Sequence, residues 1–373
     1  MSTRTCTILF LLAALAPASS QQIISPDVQT DGQVTFHLKA PNAKEVQLQC
    51  EGVTEHKMQR DDRGVWSLTT EPLTPDIYAY SFSVDGLRII DPANPLLKYN
   101  LLTTDSQVHV PGPATLPWEL NDVPHGQIHH HFYKSAAGGD DRDFYVYTPP
   151  GYDPAARHRY PVLYLLHGYS DDASAWTGVG MANIILDNLI ARKQAKPMLI
   201  VMPLGYGTME IVKAGWQRVR TPELWQRNQD KFRESLLHEV IPQIERSYRV
   251  LAGSNSRAIA GLSMGGSESL TVGLNALDRF AWIGAFSSGG LNTNYPGLFP
   301  ALNEKANRQL RLLWLGCGEQ DGLLAGNQRL SEWLTANGVR HTWVQTPGQH
   351  SFRVWRRFLA DFVPLLFQDQ KQK

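Results

Sequence analysis

Arg257-Ala258-Ile259-Ala260-Gly261-Leu262-Ser263-Met264-Gly265-Gly266-Ser267 carries the strongest structural signal in this 373-residue chain. Residues 257–260 read as a strand, and residues 267–274 read as a helix. Between them Gly261-Leu262-Ser263-Met264-Gly265 matches G-x-S-x-G. The pattern alone is common. Set between a strand and a helix, it describes a sharp elbow in which the serine projects above a sheet. The flanking glycines then avoid the clash that a Cβ would make. Ser263 is expected to be a nucleophile at the end of a buried strand.

Outward from the elbow, continuous apolar runs recur. Pro161-Val162-Leu163-Tyr164-Leu165-Leu166, Met198-Leu199-Ile200-Val201-Met202, Trp282-Ile283-Gly284-Ala285-Phe286 and Leu312-Leu313-Trp314-Leu315 have no polar alternation. Such runs mark strands buried on both faces. Helix-like stretches at 184–193, 224–248, 330–337 and 352–367 alternate with them. Strands alternating with helices predict an α/β fold, a mostly parallel sheet covered on both sides.

A serine hydroxyl needs a base, and the base needs a carboxylate to hold its tautomer. On an α/β-hydrolase sheet the chain order is serine, acid, histidine. Only His341 and His350 follow Ser263. His341 opens a strand-like segment and suits a strand edge. His350 lies in the loop Pro347-Gly348-Gln349-His350 before the last helix, and is the expected base. The acid should leave the end of the strand at 312–316, where Glu319 and Asp321 both stand; Asp321 is favoured because it reaches back toward the histidine loop. An oxyanion needs two backbone donors. The amide of Met264, next after the nucleophile, is one. The other is expected from His167-Gly168-Tyr169, after the first buried strand, at the amide of Tyr169.

The N-terminal region has a different period. Val34-Thr35-Phe36-His37-Leu38, Val46-Gln47-Leu48-Gln49-Cys50 and Tyr78-Ala79-Tyr80-Ser81-Phe82 alternate, and Asp85-Gly86 makes a hairpin turn. Short strands at this spacing predict a β-sandwich. Residues 76–95 resemble the immunoglobulin-like (CBM48-type) modules that precede glycogen-branching enzymes. Arg4 and the apolar run from Cys6 to Ala16 read as a signal peptide, too short to span a bilayer. The expected organisation is a leader at 1–20, a sandwich at 21–110, a Pro-rich link at 111–125 and a hydrolase at 126–373. Beyond the leader only Cys50 and Cys317 remain, too few for a disulfide framework, which fits an exported bacterial enzyme. Lys+Arg and Asp+Glu are 35 each, and this balance argues against a nucleic-acid binder.

Tyr147-Thr148-Pro149-Pro150-Gly151-Tyr152, the run from Tyr160 to Gly168, Asp187-Asn188-Leu189-Ile190-Ala191, Lys196-Pro197-Met198, Ala258 to Gly266, Gly318 to Asp321 and His350 to Trp355 together resemble carbohydrate esterase family 1. The resemblance covers about 132–367. It implies feruloyl or acetylxylan esterase activity, and it places the family's serine, aspartate and histidine on Ser263, Asp321 and His350. It implies no metal and no cofactor, and feruloylated or acetylated xylan as the partner. Siderophore esterase, acyl transferase and inactive carbohydrate-binding protein are the other functional readings. Trp176 and Trp355 flank the expected loops and either stack on substrate or belong to the core. Tyr78 and Tyr80 either form a glycan platform or pack inward. His129-His130-His131 lacks the further ligands a metal site needs.

Overall fold

A computed structural model describes residues 23–215 and 221–368; the expected leader lies outside the described residues. Eight strands form the main sheet: β1 (Gln127–Ser135), β2 (Asp140–Thr148), β3 (Val162–Leu166), β4 (Leu199–Pro203), β5 (Arg257–Leu262), β6 (Trp282–Phe286), β7 (Leu312–Gly318) and β8 (Thr342–Thr346). Their spatial order is β1-β2-β4-β3-β5-β6-β7-β8. β1 and β2 are antiparallel, β2 pairs antiparallel with β4, and the strands from β4 to β8 are parallel. This is the α/β-hydrolase fold.

The apolar runs fall where two-sided burial requires them. Every residue of β3, β4, β5 and β6 is buried. Two cores form, one on each face. Leu163, Leu165, Ile200 and Ala260 face the last helix, while Tyr164, Leu166, Val201 and Ile259 face the opposite helices. The antiparallel edge, β1 with β2, carries no continuous apolar run, because β1 is largely exposed and alternates. The alternation at His129-His130-His131 is the strand signal there, in place of a continuous apolar run. The helix expected at 224–248 is Pro222–Ser235, a π turn at Leu236–Val240, and Ile241–Ser247.

Register sets the site. Leu262 at the end of β5 pairs with Phe286, Phe286 with Gly316, and Gly318 with Thr346. The residues that follow β5, β6, β7 and β8 therefore emerge along one edge, at the carboxyl ends of the strands, where open α/β sheets place their sites.

Ahead of this sheet, Asp27–Val28, Val34–Lys39, Val65–Thr69 and Gln59–Arg60 form one antiparallel sheet. Val46–Cys50, Asp76–Val84, Asp105–Val110, Leu97–Lys98 and Leu87–Ile89 form a second. Phe36, Leu48, Trp66, Tyr78, Tyr80 and Phe82 fill the core between them. Tyr78 and Tyr80 are each 1% exposed, so the glycan platform does not exist at these residues; their rings are core. The Tyr80 hydroxyl donates to Asp91, and the Arg353 guanidinium lies 4.2 Å from the Tyr78 ring centroid. The segment after the sandwich also packs down: Trp118 is buried in the hydrolase core, and Arg192 donates to the Thr115 carbonyl.

Candidate active site

Ser263 sits between β5 and the helix Met264–Leu274 at φ 52° and ψ −115°, a backbone conformation that non-glycine residues rarely hold. The surroundings enforce it. A Cβ on Gly261 would lie 2.5 Å from the Gly265 carbonyl, and a Cβ on Gly265 would lie 2.4 Å from the His167 oxygen. Only glycines let chain and helix cross so closely. The Ser263 amide donates to Phe286 at 2.8 Å and its carbonyl accepts from Gly289 at 2.9 Å, so the loop after β6 clamps the turn.

His350 brings two partners together. Its Nε2 is 3.0 Å from Ser263 Oγ, and its Nδ1 is 2.8 Å from Asp321 Oδ2. An ionised carboxylate can only accept, so Nδ1 carries the hydrogen and Nε2 is left to accept from the Ser263 hydroxyl. Burial disfavours the Asp321 charge. The hydrogen bond and charge of His350, the Leu323 amide at 2.8 Å and the Ser287 hydroxyl outweigh it, so the carboxyl sits below the usual aspartate value. Glu319 is exposed, whereas the carboxylate that His350 bonds is that of Asp321. His341 is bound to Ser331 at 2.7 Å, remote from Ser263 in the hydrogen-bond pattern. Cys317 stands in the strand ahead of Asp321; burial pushes its thiol up to about 12, so it stays protonated and does not compete as a nucleophile.

Met264 opens the helix that follows Ser263, so its amide is one of the orphan donors of a helix N-terminus. Tyr169 is aimed by a neighbour. His167 is buried, and burial holds its pKa down. Its Nε2 accepts from the Gly205 amide, so its Nδ1 donates to the Gly168 carbonyl at 2.8 Å. In a planar trans peptide the amide of Tyr169 points opposite to that carbonyl. Gly168 itself lies against Ser263: a Cβ there would come within 3.3 Å of the serine Cβ.

A cavity of about 820 Å³ opens over Ser263, Met264, Asp321 and His350. Tyr169, Trp225, Pro222, Leu291 and Leu323 make much of its remaining wall. Trp176 does not. It is 1% exposed, donates Nε1 to the Leu166 carbonyl and packs edge-on to Phe286 and Phe352, so it is a core residue. Trp355 is also off the wall. It is buried behind the base, its ring centroid 4.8 Å from that of His350 and perpendicular to it, with Nε1 donating to Ser287 Oγ at 3.1 Å. Substrate contact by either tryptophan is therefore corrected: one is core and the other braces His350. The tryptophan on the wall is Trp225, from the helix Pro222–Ser235. Its only sequence signal was an aromatic near the start of an otherwise polar helix.

The three consecutive histidines each have a protein partner: His129 with Thr148, His130 with Asp143, and His131 with Tyr248. Among the described residues no group of three or more His, Cys, Asp or Glu could hold a metal ion.

Comparison with known proteins bears on the family and the fold. Residues 135–366 match the Esterase family model. An endo-1,4-beta-xylanase/feruloyl esterase of Xylanibacter ruminicola is 30% identical over 92% of this chain and 46% of its own length. The chain thus spans about half the length of the curated relatives it matches. A CE1 ferulic acid esterase from Anaeromyces mucronatus superposes with a TM-score of 0.59 at 25% identity, covering 69% of this chain and 96% of that one. The enterobactin esterase of Shigella flexneri shares the fold with a TM-score of 0.65 at 22% identity, over 89% of this chain and 92% of its own. The family match begins at the end of β1 and runs past the last helix, taking in Ser263, Asp321 and His350 together, and the chain belongs to the esterase family.

Proposed function

We propose that this chain is an exported serine carboxylesterase that releases hydroxycinnamate, chiefly ferulate, from plant cell-wall arabinoxylan. The hydrogen-bonded chain Ser263–His350–Asp321 beneath an aromatic-walled cavity is the observation that carries this reading. Similarity to the xylanase/feruloyl esterase and to the ferulic acid esterase supports the acyl group.

The steps follow from the geometry. Ser263 Oγ attacks the ester carbonyl carbon while His350 Nε2 takes its proton. Asp321 holds the imidazole and stabilises the imidazolium. The oxyanion that forms is met by the amides of Met264 and Tyr169. His350 returns the proton to the leaving alcohol oxygen, and an acyl-Ser263 remains. Water then repeats the sequence: His350 takes its proton, the hydroxide adds to the acyl carbon, and the acid leaves with regeneration of the serine hydroxyl.

Trp225 and Tyr169 favour a flat aromatic acyl group, since ring contacts contribute roughly 0.5–1.5 kcal/mol beyond area burial. Methyl ferulate, methyl acetate and acetylated xylan, assayed side by side, test this. Methyl ferulate should have the higher kcat/KM of the two methyl esters, and Trp225→Ala should narrow the gap about five- to tenfold, the factor that ~1–1.4 kcal/mol gives. Acetate release from xylan without ferulate release would make the enzyme an acetylxylan esterase.

A further inference from the structure

A second depression shares a wall with the cavity above Ser263. Trp225, Gln226, Gly290, Leu291 and Asn292 line both. Beyond Trp225 it continues for about 340 Å³ between the helix Pro222–Ser235 and the C-terminal half of the helix Met264–Leu274. That volume is within the range of small-molecule sites.

The lining changes character across Trp225. On the serine side stand Tyr169, Met264, Leu291 and Leu323. On the far side polar groups predominate, with Gln229, Asp230, Arg233, Thr271 and Asn275 beside Leu298 and Pro300. The polar groups are held in place by one another. Gln226 donates to Asp230 at 3.2 Å, Arg233 is 3.5 Å from the same carboxylate, and Thr271 donates to Gln229 at 3.1 Å. Asp230 and Arg233 offset each other, so the depression presents many donors and acceptors without a net charge. Its rim is fixed as well. Gly290 has φ +84°, and a Cβ there would come within 2.1 Å of Trp225 Cζ2, so the ring rests directly on backbone.

An ester bound at Ser263 must direct its acyl group and its alcohol group to opposite sides of the scissile bond. The apolar side suits a hydroxycinnamoyl ring, and the polar side, whose charges offset each other, suits a polyol. We infer that the depression beyond Trp225 binds the alcohol portion of the substrate as a neutral oligosaccharide, with Trp225 covering the junction between acyl group and sugar. This rests on the carboxylesterase reading above and adds to it a site, away from the reacting atoms, for a neutral oligosaccharide.

The test uses Asp230→Ala and Asn275→Ala, singly and combined; both residues are exposed and make no contact with Ser263, Asp321 or His350 among the hydrogen bonds described. Two substrates are compared, methyl ferulate and ferulate esterified to an arabinoxylan trisaccharide. The double variant should lose about tenfold in kcat/KM on the trisaccharide ester, chiefly through KM, and stay within about twofold on methyl ferulate. Equal effects on both substrates, or none on either, would overturn the inference. Binding separates this failure from failure of the ester reading. Ser263→Ala should bind the unesterified trisaccharide by calorimetry, and the added Asp230→Ala and Asn275→Ala changes should abolish that binding even if the wild type never releases ferulate. A Ser263→Ala protein that binds no trisaccharide would dismiss the site.

Discussion

At the scale of single residues the site is a set of close approaches that tolerate little change. Ser263 at φ 52°, Gly261 and Gly265 against backbone, and His350 between two oxygens leave few alternatives. Ser263→Ala should reduce kcat by several orders of magnitude, on the order of 10⁶ as for other serine hydrolases, with an unchanged melting temperature. Activity above a few per cent would remove Ser263 from the mechanism. The two acids behave differently for a stated reason. Asp321 bonds His350 and is buried, whereas Glu319 is exposed. Asp321→Asn should lower kcat about 10⁴-fold by presenting the wrong hydrogen to the imidazole, and Glu319→Gln should leave kcat near wild type. The reverse ranking would give the role to Glu319.

Ser263, Asp321 and His350 were legible in the sequence because each lies in the turn or loop that leaves the carboxyl end of a strand, and strand ends in a parallel sheet share an edge. The cavity wall was not. Trp176 and Trp355 are near the site loops in sequence, yet burial turned one into core and the other into a brace, while Trp225 arrives from a helix that no local pattern ties to Ser263.

At the scale of elements, the helix Met264–Leu274 is buried almost throughout, and it carries a carboxyl group inward. Glu268 is fully buried; Oε1 accepts from Asn228 at 3.4 Å, and Oε2 has no hydrogen-bond partner among the described residues. Burial pushes its pKa well above the usual glutamate value, only partly offset by Asn228. The folded protein therefore keeps a proton that the unfolded chain releases above its ordinary pKa of about 4.3. Stability is fully present below that pH and falls as pH rises toward the folded value. Glu268→Gln keeps the shape and removes the titration. The fall in melting temperature between pH 5 and pH 8 should shrink by at least ~2 °C in the variant, the shift that about 1 kcal/mol gives in a chain of this size. Parallel curves for variant and wild type would assign the pH dependence to other groups, such as buried Asp171, whose pKa burial also raises. Among elements, those buried on both faces were the plainest in the sequence. β1 shows only alternation because one of its faces meets solvent.

At the scale of the whole molecule, the sandwich and the hydrolase are joined through a carboxylate. Asp76, fully buried in the sandwich strand Asp76–Val84, accepts from Arg356 at 2.6 Å and Arg357 at 2.7 Å, with Arg353 at 3.5 Å. All three arginines belong to the helix Phe352–Phe362, which starts two residues after His350. Arg356 is itself fully buried and also donates to the Val179 and Ile77 carbonyls. The one sequence trace of this contact is a basic residue at 356, within the apolar stripe of a helix whose other side would take a charge at no cost. Its partner lies 280 positions away, beyond any periodic signal. Removing one member leaves the other buried and uncompensated, which typically costs about 3–5 kcal/mol. Asp76→Ala should therefore lower the melting temperature by roughly 6–20 °C, taking about 2–4 °C per kcal/mol for a molecule of this size. A pair of apolar replacements, Asp76→Leu with Arg356→Met, removes both charges together and should recover much of that loss, since a buried ion pair is often worth no more than packed hydrocarbon. If the double variant melts no higher than Asp76→Ala, the contact depends on Arg357 and Arg353 as much as on Arg356, because those two would still face an empty position at 76. If Asp76→Ala melts like wild type, the two modules are held by their other contacts, such as Arg356 on the Ile77 carbonyl and Asn100 on Ser170 and Asp171.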